Sequence, residues 1–338
     1  MHVQPQILVP LDGSPQAETI LPQALALAQA TGSALLLTQV VPALVTAGTT
    51  HWMVVPYLSE GEYQQEEKAA ARRYLTPLAQ RLDAPDRPVH AVVLDGDPAA
   101  TIVAYATAHS QVSLIAMTTH GRTGLGRWIL GSVAEAVLHA ASVPLLLARL
   151  PAHETALATA HETAPPLPAT YRTILVPLDG SVFAEQALDQ AYAVAAATGA
   201  KLVLVVVVAN PPTWSLVDGA IPARMIQAQQ EETARLTAYL TRTTQRLAAL
   251  GLPVDSRLCQ GYPAETILRT SEEIDADLII MATHGRTGFQ QVRLGSVALK
   301  VVQGAIRPIY LLRANATAIR QPGLVAHPTP VDLSTARH

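Results

Sequence analysis

Short apolar runs alternate along the chain with longer stretches in which apolar residues recur every three or four positions. The first pattern marks buried strands, and the second marks helices with one apolar face. In the first half the runs predict strands at about 7–11, 34–41, 89–94, 114–118 and 144–148, separated by helices at about 15–30, 61–82, 98–108 and 132–141. The second half predicts strands near 173–178, 201–208, 254–259, 278–282 and 308–312. Strands alternating with helices imply βαβ units. These build a parallel sheet, covered by helices on both faces and joined by right-handed crossovers. Five strands per half make a small, doubly wound α/β sheet. The longest apolar run, 202–209, is far too short to span a bilayer and suits a strand buried on both faces.

The pattern occurs twice because the sequence does. Ile7-Leu8-Val9-Pro10-Leu11-Asp12-Gly13-Ser14 returns as Ile174-Leu175-Val176-Pro177-Leu178-Asp179-Gly180-Ser181. Thr119-His120-Gly121-Arg122-Thr123-Gly124 returns as Thr283-His284-Gly285-Arg286-Thr287-Gly288, and Leu130-Gly131-Ser132-Val133-Ala134 as Leu294-Gly295-Ser296-Val297-Ala298. Three matches in the same order identify a domain duplication. The expected organisation is a domain over 1–150, a linker over 151–170, a second domain over 171–314 and a tail over 315–338. Pro165, Pro166 and Pro168 predict a stiff, extended linker.

Composition supports two packed domains. The chain has 338 residues, 49% hydrophobic and 14% charged, with a mean hydropathy of +0.24. A net charge of −3 supplies no long-range attraction to nucleic acid or to an anionic membrane, so neither is an expected partner. The single cysteine, Cys259, excludes an intramolecular disulfide and fits the reducing cytoplasm. Lying in an apolar strand, it is expected to be a buried and inert thiol. A strand begins at once near residue 6 with no basic segment before it, so no signal peptide is expected.

In doubly wound sheets, ligands bind outside the C-terminal strand ends, where the strand order reverses. Asp-Gly-Ser follows the first strand and His-Gly-Arg-Thr-Gly the fourth, so both motifs fall at those ends. Gly121 and Gly124 open a loop that ends at Gly131-Ser132, where a helix is predicted to begin. Gly285, Gly288, Gly295 and Ser296 repeat the arrangement. A helix N-terminus offers unpaired N–H groups and partial positive charge, and glycines let the backbone approach an anion. Ser132 can cap the helix or donate its hydroxyl to a phosphate. Arg122 and Arg286 fit phosphate partners and equally fit exposed loop cations. The spacing is neither a Walker loop, since no lysine precedes the serine, nor a dinucleotide fingerprint.

These motifs together resemble the universal stress protein family, over both halves of the chain. The resemblance implies an adenine nucleotide alpha hydrolase-like, Rossmann-like fold, an ATP ligand with or without Mg²⁺, and a role in stress adaptation. It implies that Asp12 and Asp179 contact the adenosine part, and that the backbone near Val40 and Val207 meets the adenine edge. It also implies pairing of the last strands, here as a pseudo-dimer within one chain. Association of two chains and the downstream protein partner stay open. The family's first glycine is replaced by Thr118 in one half and Ala282 in the other, which narrows the space beside the ligand.

Each residue also has a plainer reading. Asp12 and Asp179 suit an Asx turn or helix cap. Gly96 and Gly261 suit either close approach to a ligand or a tight βα turn before Pro98 and Pro263. His120 and His284 lack neighbours at metal-ligand spacing, so a structural role is expected. Trp52, Met53 and Tyr57 suit satellite packing better than a lid over the adenine. The motifs show no base and metal cluster of the kind phosphoryl transfer needs. A nucleotide-binding module is therefore the expected function, with a slow ATPase or a non-binding structural protein as alternatives.

Overall fold

A computed structural model describes residues 4–42, 60–119, 130–149, 169–210, 223–283 and 294–313. By its contacts the chain falls into two units, Met1–Thr170 with Val302–Tyr310, and Tyr171–Val301 with Leu311–His338.

The first run of elements is β1 (Gln6–Pro10), α1 (Pro15–Glu18), α2 (Leu21–Thr31), β2 (Ala34–Val41), α3 (Glu60–Leu82), β3 (Val89–Asp95), α4 (Pro98–Ala108), β4 (Val112–Thr118), α5 (Ser132–Ala140) and β5 (Leu145–Ala148). Its strands pair in the order β3-β2-β1-β4-β5. The pairing is parallel, with Gln6 opposite Ala34 and Ile115 opposite Leu145. The order reverses beside β1, which leaves the crevice between the ends of β1 and β4.

The second run is β6 (Thr173–Leu178), α6 (Val182–Thr198), β7 (Lys201–Ala209), α7 (Ala223–Ala249), β8 (Val254–Gly261), α8 (Pro263–Glu273), β9 (Leu278–Ala282), α9 (Ser296–Gly304) and β10 (Ile309–Leu312). The order β10-β9-β6-β7-β8 repeats that of the first run. The alternating parallel architecture expected from the sequence is thus the one observed.

The central strands are apolar because helices cover both of their faces. Ile7, Leu8 and Val9, like Ile174, Leu175 and Val176, are almost wholly buried. Helix starts follow local chemistry. Ser14 Oγ accepts the Ala17 amide at 3.2 Å, Ser181 Oγ accepts the Ala184 amide at 3.1 Å, and Asp97 Oδ1 accepts the Ala100 amide at 2.9 Å.

One expected helix is interrupted. The segment predicted at 15–30 divides into α1 and α2 because Pro22, second in α2, has no N–H to donate to the preceding turn. Asp189 occupies the matching position in the second run, and α6 is continuous there.

Candidate functional site

The Asp-Gly-Ser segments close β1 and β6 with the same turn. Asp12 Oδ1 accepts the Ser14 amide at 3.0 Å, and Asp179 Oδ1 accepts the Ser181 amide at 3.0 Å. The aspartates therefore do make the turns that sequence alone allows. A carboxylate offers about four acceptor positions, so holding a turn does not exhaust it.

The backbone beside them is aimed at the same place. In parallel pairing, alternate residues of a strand direct their N–H and C=O to alternate neighbours. Thr38 faces β1, since its carbonyl accepts the Leu11 amide at 2.7 Å, while Val41 faces β3 and accepts from Gly96 at 3.1 Å. Val40 thus directs its backbone groups to the β1 side, beyond Pro10, the last β1 residue paired with β2. Val207 lies just past the last β6–β7 pair, Leu178 with Val206. Both valines thus lie beyond the paired end of the first strand of their run.

The glycine loops leave β4 and β9, and their ends are pinned. Thr119 donates its amide to Ala148 O at 2.9 Å and accepts the Gly131 amide at 2.8 Å. Thr283 repeats this, donating to Leu312 O and accepting from Gly295, both at 2.8 Å. Gly131 is the N-cap of α5, and its carbonyl accepts the Glu135 amide at 2.9 Å. Ser132 is therefore the first helical residue, and no side-chain hydrogen bond caps the helix. Of the two roles considered for Ser132, the cap is not made. The hydroxyl is exposed at the helix start, as is that of Ser296. Gly121, Arg122, Gly124, Gly285, Arg286 and Gly288 lie outside the described residues, as do both loop histidines, Trp52, Met53 and Tyr57.

Unit 2 contains a cavity of about 550 Å³ at these strand ends. Asp179, Val207, Gly295 and Ser296 all line it, so four candidates from distant parts of the sequence meet in one cleft. Ala282 lines it too, as expected of the residue in place of the family's first glycine. Its body is apolar, formed by Val205, Ile267 and Met281 among others, and it has few polar groups. That is the usual composition of a small-molecule site.

One wall escaped the sequence reading. Met225, Gln229, Glu232 and Leu236 present one face of α7 to the cleft. The signal was available as a fourth repeat: Gln64-Gln65-Glu66-Glu67 recurs as Gln229-Gln230-Glu231-Glu232, Tyr74-Leu75-Thr76 as Tyr239-Leu240-Thr241, and Gln80-Arg81-Leu82 as Gln245-Arg246-Leu247. Behind α7, Arg246 Nη2 lies 3.7 Å from Glu185 Oε2, and on α3 of the first run Tyr74 donates to Glu18 Oε1 at 2.9 Å. Burial and then the Glu18 charge push the Tyr74 phenol far up. Burial and then the Glu185 charge do the same for Tyr239.

Two further expectations resolve. Gly96 and Gly261 have φ of 128° and 149°, and an added Cβ at either would come within 2.7 Å of Thr101 Oγ1 or Thr266 Oγ1. These contacts fit the tight βα turn. Cys259 is half-buried on β8, an edge strand whose middle residues are exposed, and is not the buried thiol expected. The apolar residues around it in sequence do not mark a strand covered on both faces.

The family model described as the universal stress protein family matches residues 5–149 and again residues 170–313. The chain belongs to the universal stress protein family. It is a tandem member, with two universal stress protein domains in one chain. A universal stress protein of Mycolicibacterium smegmatis is 28% identical over 315 residues, covering 91% of this chain and 96% of its own. A Thermus aquaticus universal stress protein is 35% identical over 144 residues, which is 42% of this chain and 99% of its own. Among solved structures, a universal stress protein from Archaeoglobus fulgidus covers 92% of this chain and 98% of its own, with a TM-score of 0.64 and 23% identity. That likeness speaks to the fold. Among the described residues, no helix is long and apolar enough to cross a membrane, and no group of three or more His, Cys, Asp or Glu could hold a metal ion.

Proposed function

We propose that the chain is an ATP-binding universal stress protein, a regulatory module for stress adaptation with an adenine-nucleotide site in each half. The observation that carries this reading is the unit 2 cleft, which gathers Asp179, Val207, Gly295 and Ser296 at the reversal of strand order. In this reading the Val207 backbone meets the adenine edge, Asp179 the adenosine part, and the start of α9 the phosphates. Gly285, Arg286 and Gly288 are assigned to the polyphosphate on the repeated pattern alone. Asp12, Val40, Gly121, Arg122, Gly124, Gly131 and Ser132 would serve the same roles in the first half. Mg²⁺ would arrive with the polyphosphate. Occupancy would alter which downstream protein is engaged, and the cytoplasm would be the place of action.

The last strands offer a means for the halves to associate. β5 is the outermost strand of its run and is wholly apolar, and β10 ends the other run with Ile309, Tyr310, Leu311 and Leu312. Apolar edges are covered in stable proteins. Pairing of these two strands within one chain would cover both, leaving association of two chains as a separate step.

A second reading, a structural member that binds no nucleotide, draws on Thr118. This buried, β-branched residue stands where binding members carry glycine. Thermal unfolding separates the two readings. ATP with Mg²⁺ at one hundred times its Kd should add about 2.7 kcal/mol of stability. The gain should shrink in Asp179→Ala and Ser296→Ala. No rise in Tm at millimolar ATP would favour the structural reading.

A further inference from the structure

The wall of the unit 2 cleft opposite the sheet carries a carboxylate that neither the glycine motif nor the first-strand aspartate accounts for. Glu232 lines the cleft from α7, as Asp179 does from the end of β6. Arg235, one turn further along α7, forks onto Glu232. Its Nε meets Oε2 at 2.7 Å and its Nη2 meets Oε1 at 3.0 Å. The same guanidinium reaches the β6–α6 turn: Nη1 lies 3.7 Å from where a Cβ on Gly180 would sit, close enough to Asp179 for the two charges to interact. Arg235 thus lies between Glu232 on α7 and the turn that holds Asp179.

This arrangement selects among ligand chemistries. Two carboxylates at one end of a cleft repel a polyphosphate, which is drawn instead to the N-terminus of α9 at Gly295 and Ser296. The Arg235 guanidinium on Glu232 offsets one of the two negative charges, which weakens the pull on a bound cation. What two held acceptors favour is a neutral group with two hydroxyl donors, and the ribose of a nucleotide has such a vicinal diol. A carboxylate oxygen engaged by a guanidinium retains a second acceptor position for such a donor.

We propose that Glu232, held by Arg235, accepts a hydroxyl of the ribose diol and makes the unit 2 cleft selective for ribonucleotides over deoxyribonucleotides. The inference rests on the adenine-nucleotide reading above. The first half has Glu67 at the matching place but Ala70 instead of Arg235, so its carboxylate lacks the fork. Selectivity is therefore a property of unit 2 first.

The test needs a site-resolved signal, and the methionines supply one. Of the five in the chain, Met225 and Met281 line this cleft. The full chain, labelled at its methionine methyl groups, is titrated with ATP, 2′-deoxy-ATP and 3′-deoxy-ATP while both signals are followed by NMR. At least one deoxy analogue should bind about ten-fold more weakly than ATP, in line with loss of a hydrogen bond to a charged group. E232Q should bring ATP to the affinity of that analogue and leave the analogue unchanged, with circular dichroism and Tm showing an intact fold. R235A, which frees Glu232, should narrow the preference. If ATP moves these methyls but all three nucleotides bind alike, or if E232Q keeps the preference, ribose recognition by Glu232 is overturned while nucleotide binding stands. If no nucleotide moves either methyl at millimolar concentration, the binding reading falls and this inference with it.

Discussion

Tyr74 shows how much one side chain ties together behind the strand ends. Its hydroxyl donates to Glu18 Oε1 at 2.9 Å, joining α3 to α1 directly after the Asp12 turn. Tyr74→Phe leaves a part-buried carboxylate short of a donor, so it should cost about 1.5 to 3 kcal/mol in denaturant unfolding. An unchanged midpoint would show that the bond contributes nothing. The buried tyrosines also set an alkaline limit. Burial comes first among the causes that raise Tyr74, Tyr171, Tyr239 and Tyr310, with nearby carboxylates adding to it at Tyr74, Tyr171 and Tyr239. Unfolded tyrosine ionises near pH 10, so above that pH the unfolded chain gives up protons that the folded chain keeps. Their contribution is full below about pH 10 and falls as the pH rises through the folded values. Phenolate absorbance should therefore stay partial above pH 10 and complete itself only as the far-UV signal of the fold is lost. Complete ionisation near pH 10 with the fold intact would contradict this. At this scale the sequence was legible where chemistry is local. The Asp12 and Asp179 turns and the Ser14 and Ser181 caps need only neighbours in the chain. The Glu18–Tyr74 contact joins residues 56 positions apart, and only comparison of the two long helices would have exposed it.

Among the elements, strands and helices were legible because burial on both faces forces continuous apolar runs, and βα turns use Gly, Pro, Ser and Asp. Where the reading slipped, the reason is specific. A single proline divides α1 from α2 without disturbing the apolar spacing around it. The edge strand β8 carries Leu258 and Cys259 yet is largely exposed. The ends of β4 and β9 carry the clearest consequence for binding. Ala282 lines the unit 2 cleft, so Ala282→Thr adds volume beside the ligand and should weaken ATP by about ten-fold, roughly the effect of 1.4 kcal/mol. Thr118→Gly should act in the opposite direction in the first half. Calorimetric titration of each variant decides. If Ala282→Thr binds ATP as the wild type does, the strand end does not border the ligand.

For the whole molecule, duplication is the governing fact. One βαβ plan is written twice, and each copy keeps its strand-end aspartate, its pinned loop ends and its Gly-Ser helix start. The copies differ in what surrounds these parts: Thr118 against Ala282, Ala70 against Arg235, Pro22 against Asp189. The shared parts were readable as repeats, whereas the cleft needed the fold, because its walls come from β6, α6, β7, α7, α8, β9 and α9. Adenine nucleotide held at the strand ends should travel with the freshly purified protein. The protein is denatured, and the released small molecules are separated, identified and counted per chain. Bound ATP is expected, close to two per chain if both halves fill and close to one if Thr118 weakens the first. Release of no nucleotide, from a chain that added ATP with Mg²⁺ also fails to stabilise, would contradict it.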